Sequence, residues 1–311
     1  MILLELSFIM DKRKTGIALF ITLMVIASIM SIIAVSFTYL EKVQKDAGRT
    51  SALIQANLLY GNTVEILKRF FPAESDNNDK LALIYTMPLI LNEAKSGFSL
   101  NLTCQALMIG PPINWLDEKV TSTMPEKTTI TKGVFESIIE IYDIKEPNEL
   151  EELLLQEITG KYTQNRDYEP RLKQQKGIVS KEQFNKVLLH YALMYDDQKV
   201  LTIPWEKYFS FIHTTKDTKI DGNYLSPEFM SVAFDIPIEI VQDSWIVGES
   251  TLSTFLTENG ISKTINNKIY ANKALNAMHC KQTFVYQERQ YRFKFNYIKG
   301  RSNNFEFNGQ N

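Results

Sequence analysis

Residues 15–40 read TGIALFITLMVIASIMSIIAVSFTYL, and this stretch decides how the rest of the chain is interpreted. The 24 residues from Ile17 to Leu40 carry no charge. As a helix they would span about 36 Å, enough to cross the roughly 30 Å hydrocarbon core of a bilayer. A secretory signal has a shorter apolar region of about 7–15 residues. The stretch therefore predicts a membrane helix, with the basic run Lys12–Lys14 on its cytoplasmic side.

The helical pattern continues beyond Leu40 into an amphipathic half. Apolar residues recur at helical spacing as far as Leu67, and Pro72 is the first proline of the chain and a natural terminator. We expect one helix from Ile17 to about Phe71, apolar on all sides in its first half. Such a helix can lie in a membrane and can also pack against other helices of its kind.

Basic residues, a glycine, a hydrophobic residue and about twenty apolar residues resemble the N-terminus of the type IV prepilin class. The resemblance implies that a prepilin peptidase cleaves after Gly16, and that Ile17 becomes the N-methylated mature N-terminus. Most members carry Glu at the fifth mature position, which is Ile21 here. Absence of that Glu is typical of the K-type minor pseudopilin of type II secretion systems, which is thought to sit at the filament tip. Both Met1 and Met10 are open as the start, the latter giving the short leader MDKRKTG.

The resemblance implies an α+β, pilin-like fold, in which the long N-terminal helix packs on an antiparallel sheet interrupted by an inserted α-helical domain. The expected boundaries follow from this layout. We expect a leader at 1–16, the hydrophobic assembly helix at 17–71, the first part of the sheet domain at 72–132, a mostly helical insertion at 133–265 and C-terminal strands at 266–311.

Local patterns place the secondary structure within those boundaries. We predict strand structure from Ala82 to about Thr103, and a further strand over Tyr208–His213. Helical periodicity runs from Gly133 to about Tyr195. The C-terminus alternates aromatic and polar residues from Tyr291 to Tyr297, which is typical of a strand with one buried face. An aromatic nucleic-acid platform is the less favoured interpretation of this alternation.

Two helix starts carry capping signals. Ser180 followed by Gln183 reads as a capping box. Ser226-Pro227-Glu228 combines a capping serine, a proline in the first turn and an acid near the positive end of the helix dipole.

Charge and cysteine content narrow the possible functions. The 311 residues have a formal charge of −2, and removing residues 1–16 makes it −3, so no global basic field favours nucleic acid. Cys104 and Cys280 are the two cysteines. Placement of the residues beyond 40 outside the cytoplasm would allow a disulfide between them; two buried free thiols are the alternative.

Motifs for catalysis are missing from the sequence. It has no HExxH, Walker loop, GxSxG or GxGxxG motif, so we do not expect an enzyme. No cofactor is firmly expected. Calcium is the one plausible ion, because K-type pseudopilins bind it with carboxylates and carbonyls. The candidate ligands here are Asp217, Asp221 and Asn223, with a solvated turn as the alternative.

These observations converge on a minor pseudopilin at the tip of a type II secretion-like pseudopilus that supports protein export across the outer membrane. It would be a single-pass inner-membrane protein with a periplasmic C-terminal domain. Its expected partners are I- and J-like minor pseudopilins, the prepilin peptidase and the exported cargo. The alternatives are a subunit of a type IV pilus or DNA-uptake system, and an uncleaved membrane-anchored binding or sensor protein.

Overall fold

The structure, a computed structural model, describes residues 2–72, 78–93, 98–161, 177–261, 265–286 and 289–308. Side chains within helices and strands are outside this description at residues 2–22, 25, 29, 44, 45, 93 and 98. The chain divides into two compact units, Met1–Leu59 and Tyr60–Asn311.

The first unit is helical. Helix α1 (Ile2–Phe70) runs through it and ends in the second unit, and the predicted end near Phe71 is confirmed. The helix begins earlier than expected, because the residues assigned to the leader continue its backbone. Among the described residues, the part of α1 from Ile26 to Phe70 is long and apolar enough to cross a membrane.

Polar side chains in the apolar part of α1 are satisfied within the helix itself. Every described side chain from 30 to 43 is exposed, and most of them are apolar. The hydroxyls of Ser28, Ser31 and Ser36 each donate to the carbonyl four residues earlier, at 2.8 Å. Since lipid offers no hydrogen-bond partners, this pattern suits a helix surrounded by acyl chains or by other helices.

An antiparallel sheet forms one layer of the second unit. In the described part of the chain its strands are β1 (Leu89–Glu93), β2 (Phe98–Ala106), β5 (Ala277–Tyr286), β6 (Arg289–Ile298) and β7 (Arg301–Asn308). Their order across the sheet is β1-β2-β5-β6-β7. Strands β5, β6 and β7 follow one another as hairpins, whereas β2 and β5 pair across a long intervening stretch.

The stretch between β2 and β5 is mostly helical, as the insertion predicts. It contains α3 (Pro125–Tyr142), α4 (Pro147–Thr159), α5 (Lys181–Tyr195), α6 (Pro227–Phe234), α7 (Ile238–Ser244) and α8 (Leu252–Glu258). Three 3₁₀ helices, Ile113–Leu116, Gln198–Leu201 and Trp205–Lys207, and the short parallel pair β3 (Ile220–Asp221) and β4 (Tyr270–Ala271) complete the described part of it. Its helices share one core of aliphatic and aromatic residues, which includes Trp115, Phe184 and Trp205.

Both capping predictions are confirmed. The Ser180 hydroxyl accepts the Gln183 amide at 3.2 Å and opens α5. In return the Gln183 side-chain oxygen accepts a hydrogen bond from the amide of Val179, whereas a capping box would use the amide of Ser180. The Ser226 hydroxyl accepts the Phe229 amide at 3.1 Å and opens α6.

One strand prediction holds from Leu89 onward but is wrong at its start, and a second is wrong throughout. The segment from Ala82 begins inside a helix, α2 (Asn78–Thr86), and the strands start only at Leu89. Buried Leu81 and Ile84 lie three residues apart, which is a helical spacing. Over Tyr208–His213 the chain is irregular, with a single bridge from Ser210 to Pro112. Tyr208, Phe209 and Phe211 are buried in the insertion's core, and Ile212 packs near Met108 and Ala277. The segment is therefore apolar because it is buried, although it does not pair as a strand.

Candidate functional site

One side of the sheet receives the end of α1, and we call it the helix face. Residues 60–70 of α1 belong to the same compact unit as the sheet. Tyr60 packs edge-on against Phe295, with ring centroids 5.2 Å apart, and also contacts Phe293 and Phe305. The predicted aromatic alternation of β6 therefore forms a buried core, with Phe293 and Phe295 fully inaccessible.

Hydrogen bonds fix the helix end on the helix face. The Thr63 hydroxyl donates to Gln282 Oε1 at 2.8 Å, and both side chains are buried. The Tyr297 hydroxyl donates to the carbonyl of Phe71 at 3.0 Å. Since a buried polar group must find a partner, these bonds select one position of the helix on the sheet.

The two cysteines lie opposite each other on the helix face. Cys104 of β2 is in register with Cys280 of β5, and their sulfur atoms are 2.01 Å apart as a disulfide. Both residues are buried. The bridge ties together the two strands that flank the insertion, 176 positions apart in sequence.

The opposite side of the sheet, which we call the insertion face, is polar and borders a cavity of about 390 Å³. Lys294 of β6 donates to Glu182 of α5 at 2.8 Å. His279 Nδ1 and Asn296 Oδ1 are 2.7 Å apart, on neighbouring strands. Charged and polar groups of the sheet therefore contact the helical insertion here, beside a cavity that Phe209 and Phe211 also line.

Burial and neighbouring charges shift the pKa values of this cluster. Burial lowers the pKa of His279, against the hydrogen bond with Asn296. Burial raises the pKa of Glu306, and the nearby charge of Glu182 raises it further. Burial opposes ionisation of Glu182 most strongly, but the hydrogen bond and charge of Lys294, a backbone hydrogen bond and the charge of His279 together lower the pKa of Glu182.

Asp221, one of the candidate calcium ligands, is buried and bonded to backbone amides. Its Oδ1 accepts the amide of Asn223 at 3.1 Å, and its Oδ2 accepts the amide of Leu275 at 2.6 Å. The carboxylate therefore connects the end of β3 with the chain that enters β5. Burial raises the pKa of Asp221 to about 7.

Asp217 lies in a different setting. It is exposed, and in the described part of the chain no hydrogen bond connects it with Asp221 or Asn223. Its negative charge acts instead on Lys127, a buried lysine that donates to the carbonyls of Lys216 and Thr218 at 2.9 and 2.7 Å. The ammonium group of Lys127 is thus bonded to the carbonyls on both sides of Asp217.

A calcium site at these residues stays a prediction. The structure brings Asp221 and Asn223 into one turn, with both carboxylate oxygens of Asp221 already accepting amide protons. Among the residues that the structure describes, no three His, Cys, Asp or Glu side chains are grouped so that they could hold a metal ion.

The residues of the expected processing site lie on the backbone of α1. Gly16, Ile17 and Ile21 all fall within Ile2–Phe70, and their side chains lie outside the described part of the structure. Cleavage after Gly16 and the role of Ile21 therefore stay predictions.

Comparison with solved structures identifies the fold. A chain of the crystal structure of the GspK-GspI-GspJ complex from the type 2 secretion system of enterotoxigenic Escherichia coli matches with a TM-score of 0.55. The match covers 84% of this chain and 99% of that chain, at 11% sequence identity. The chain has a pilin-like fold. This agrees with the resemblance to K-type pseudopilins and confirms the expected α+β class with a helical insertion.

No protein-family model and no curated protein sequence matches the chain. At 11% identity the structural likeness shows the fold alone.

Several site residues could not be found from the sequence. Lys294 and Glu306 are partners in the β6–β7 hairpin, and Glu182, 112 positions before Lys294, meets them only because α5 lies against the sheet. Lys127 looks like an ordinary helix-surface lysine in sequence, yet it is buried over the Trp115 ring, 4.8 Å from its centroid.

Proposed function

We propose that the chain is a K-like minor pseudopilin, a structural subunit at the tip of a type II secretion-like pseudopilus. The supporting observation is the combination of two features in one chain. The N-terminal part of α1 has a prepilin-like sequence, and the helix ends on a sheet that is interrupted by a helical insertion. The structural match, which covers 84% of this chain and 99% of the matched chain, supports a shared fold.

The proposed mechanism is mechanical. After cleavage at Gly16, the apolar helix leaves the bilayer and packs among the helices of other pseudopilins, so that lipid contacts are replaced by protein contacts. The internally bonded hydroxyls of Ser28, Ser31 and Ser36 suit both surroundings. Ile21 in place of Glu offers no charge for a neighbour's N-terminus, which fits a subunit that is incorporated first.

The remaining parts of the proposal concern place and partners. The C-terminal unit would lie in the periplasm, with the inner membrane crossed once. I- and J-like minor pseudopilins would be its neighbours, since the matched chain was solved in a complex with that composition. The exported cargo is a further proposed partner.

The first test is the N-terminus of the membrane-extracted protein, determined by mass spectrometry with and without the prepilin peptidase. We expect a methylated Ile17 terminus that disappears without the peptidase and in Gly16→Val. The matched control is Gly61→Ala, because a Cβ at Gly61 meets no atom within 4 Å. A chain that begins at Met1 or Met10 in both strains would contradict the proposal.

Partner choice needs a separate test. Co-expression with I- and J-like subunits of the same system should give a complex that survives purification, with one copy of this chain. Localisation of the chain along the filament's length, rather than at one end, would contradict the tip assignment while leaving the pseudopilin class intact.

A membrane-anchored binding protein is the competing function, and the cavity on the insertion face is the observation that favours it. It requires no cleavage at Gly16. Normal activity of an uncleaved Gly16→Val variant would therefore select this alternative.

A further inference from the structure

Two cavities of similar size lie in the second unit, and their charged side chains are arranged differently. The first is the cavity on the insertion face, of about 390 Å³. The second, of about 340 Å³, lies where the chain enters and leaves the helical insertion, and we call it the junction cavity. Both are near the lower end of the range of about 300–1,000 Å³ that is usual for small-ligand pockets. The comparison between them shows which one suits a charged ligand.

The cations that line the insertion-face cavity already have partners. Lys294 contacts Glu182 at 2.8 Å. Lys181 contacts Glu206 at 2.6 Å. All four side chains line the cavity, and Glu306 adds a further carboxylate. Because the positive charges are compensated and a negative charge is in excess, this cavity does not suit an anion.

The cations that line the junction cavity have no such partners. They are Lys219, Lys299 and Arg301. In the part of the chain that the structure describes, none of these three side chains forms an ion pair. Asp217 is the one carboxylate among the described lining residues, so positive charge is in excess by two, not counting His213. The cavity therefore has an uncompensated positive charge.

The floor of the junction cavity is apolar. Met108, Ile212 and Ala277 are buried in a small cluster separate from the core of the insertion, and Leu275 and Ile298 pack against it. All five residues line the cavity. Removing an apolar group from water onto such a floor is favourable. The cavity therefore combines an apolar floor with unpaired cations beside it.

The turn between β6 and β7 places two of these cations, and it does so at a conformational cost. Ile298 and Arg301 are paired, so Lys299 and Gly300 form a two-residue turn. Both turn residues have a positive φ, of 46° and 81°. Asparagine and glycine are preferred at such positions, and a lysine is disfavoured there. The Lys299 amide donates to the carbonyl of Asn276 at 2.8 Å, which fixes the turn beside the cavity.

The turn that precedes Lys219 is fixed as well. The Thr218 amide donates to the carbonyl of Thr215 at 3.1 Å. The ammonium group of buried Lys127 bonds to the carbonyls of Lys216 and Thr218, at 2.9 and 2.7 Å. The backbone that carries the three cations is therefore in place before any ligand binds, which lowers the entropic cost of binding.

We propose that the junction cavity binds a small organic anion, a carboxylate carried on a short apolar chain. The apolar chain would lie on the floor that includes Met108 and Ile212, and the carboxylate would contact Lys299 and Arg301. Such a group can come from a free aliphatic acid or from the C-terminal residue of a protein. This inference requires neither cleavage at Gly16 nor a filament, so it stands apart from the proposed function.

The experiment uses the full chain in phosphatidylcholine nanodiscs and isothermal titration calorimetry, with titrations of empty nanodiscs subtracted. The probes are hexanoate, hexanamide, which has the chain without the charge, and acetate, which has the charge without the chain. We expect hexanoate to bind at least about tenfold more tightly than either, because it alone satisfies both the floor and the cations. Tighter binding of acetyl-alanyl-leucine than of hexanoate would identify a protein C-terminus as the source, and weaker binding a free acid.

Matched variants locate the binding. Lys299→Asn/Arg301→Gln should weaken hexanoate binding at least about tenfold, because it removes two cations of the cavity. Asparagine is preferred at positive φ, so the turn of this variant stays favourable, and unchanged hydrogen exchange in β5 and β6 will show that it is folded. Lys268→Gln/Arg289→Gln removes two exposed cations that do not line the cavity and should leave the affinity unchanged. Asp217→Asn should strengthen binding, because it removes the carboxylate that repels the anion.

Three results would overturn the proposal. The first is equal affinity for hexanoate, hexanamide and acetate. The second is unchanged hexanoate binding by the folded Lys299→Asn/Arg301→Gln variant. The third is equal weakening by the two double variants, since this would mean that binding responds to the overall charge of the protein rather than to the cavity.

Discussion

The two faces of the sheet are held to their neighbours by different forces. Fully buried aromatic rings fill the helix face, against the end of α1. On the same face a disulfide joins β2 to β5. The insertion face is joined to α5 by the Lys294–Glu182 ion pair and borders a cavity. The stability that comes from apolar burial depends little on pH, whereas the stability that comes from contacts between titratable groups depends on it strongly. The sheet is therefore held to α1 mainly through apolar burial, and its contact with α5 includes a pair of titratable groups.

The largest expected effect is on the helix face. Phe293→Ala should lower the free energy of unfolding by about 3–5 kcal/mol, because it leaves a cavity beneath Tyr60. Phe70→Ala is the matched control, since Phe70 is 60% exposed and its loss should cost under about 0.5 kcal/mol. Denaturant unfolding of the detergent-solubilised protein measures both. Equal effects of the two variants would contradict the assignment of the helix face as the core.

The disulfide should have the next largest effect. The double variant Cys104→Ala/Cys280→Ala should lose about 2–5 kcal/mol, because the bridge closes a long loop in the unfolded chain. Reductant should destabilise the wild type and leave the double variant unaffected. A wild type whose unfolding midpoint ignores reductant would show that the thiols are free.

Asp221 provides a pH test. Its pKa is about 7 in the folded protein and near 4 when exposed, so the folded state holds this proton over a wider range of pH. Stability from this group is therefore present at low pH and lost as the pH rises from about 4 to 7. Between pH 5 and pH 8 we expect a loss of roughly 2–3 kcal/mol.

Asp221→Asn isolates this contribution from that of the other titrating groups. The variant should unfold more easily than the wild type at pH 5, because one of the two backbone amides loses its acceptor, and its stability should fall less steeply as the pH rises to 8. Parallel pH profiles for the two proteins would show that another group causes the slope.

The smallest expected effect is on the insertion face. Glu182→Gln removes the charge that Lys294 contacts at 2.8 Å, with side chains that are 25 and 50% exposed. A partly exposed ion pair contributes up to about 1 kcal/mol, and less at high salt. A larger loss that persists at 1 M salt would mean that the two faces are held equally firmly.

Sequence patterns predicted the parts of the fold in which one face of an element is buried. The alternation of Tyr291–Tyr297 and the caps at Ser180 and Ser226 are local signals, and the structure confirms them. Tyr208–His213 failed because a segment inside a core is apolar without being paired. Short apolar runs do not distinguish strand, helix and buried irregular chain.

The polar contacts of Asp221, Glu182 and Lys294 could not be predicted from the sequence for a different reason. Asp221 was singled out as an oxygen donor for calcium, but its bond to Leu275 joins residues 54 positions apart. Such pairs depend on how the insertion folds back on the sheet. Composition shows that carboxylates are present, and only the tertiary structure shows which amide or ammonium group each one meets.

The entry and exit of the insertion lie side by side. Ala106 at the end of β2 is in register with Met278 of β5, and the amide of Leu107 donates to the carbonyl of Ala277 at 3.1 Å. The sheet therefore closes at this point as if a hairpin turn joined the two strands. A helical region could be inserted at such a turn without disturbing any strand pair of the sheet. Insertions of different structure could therefore be exchanged on the same sheet.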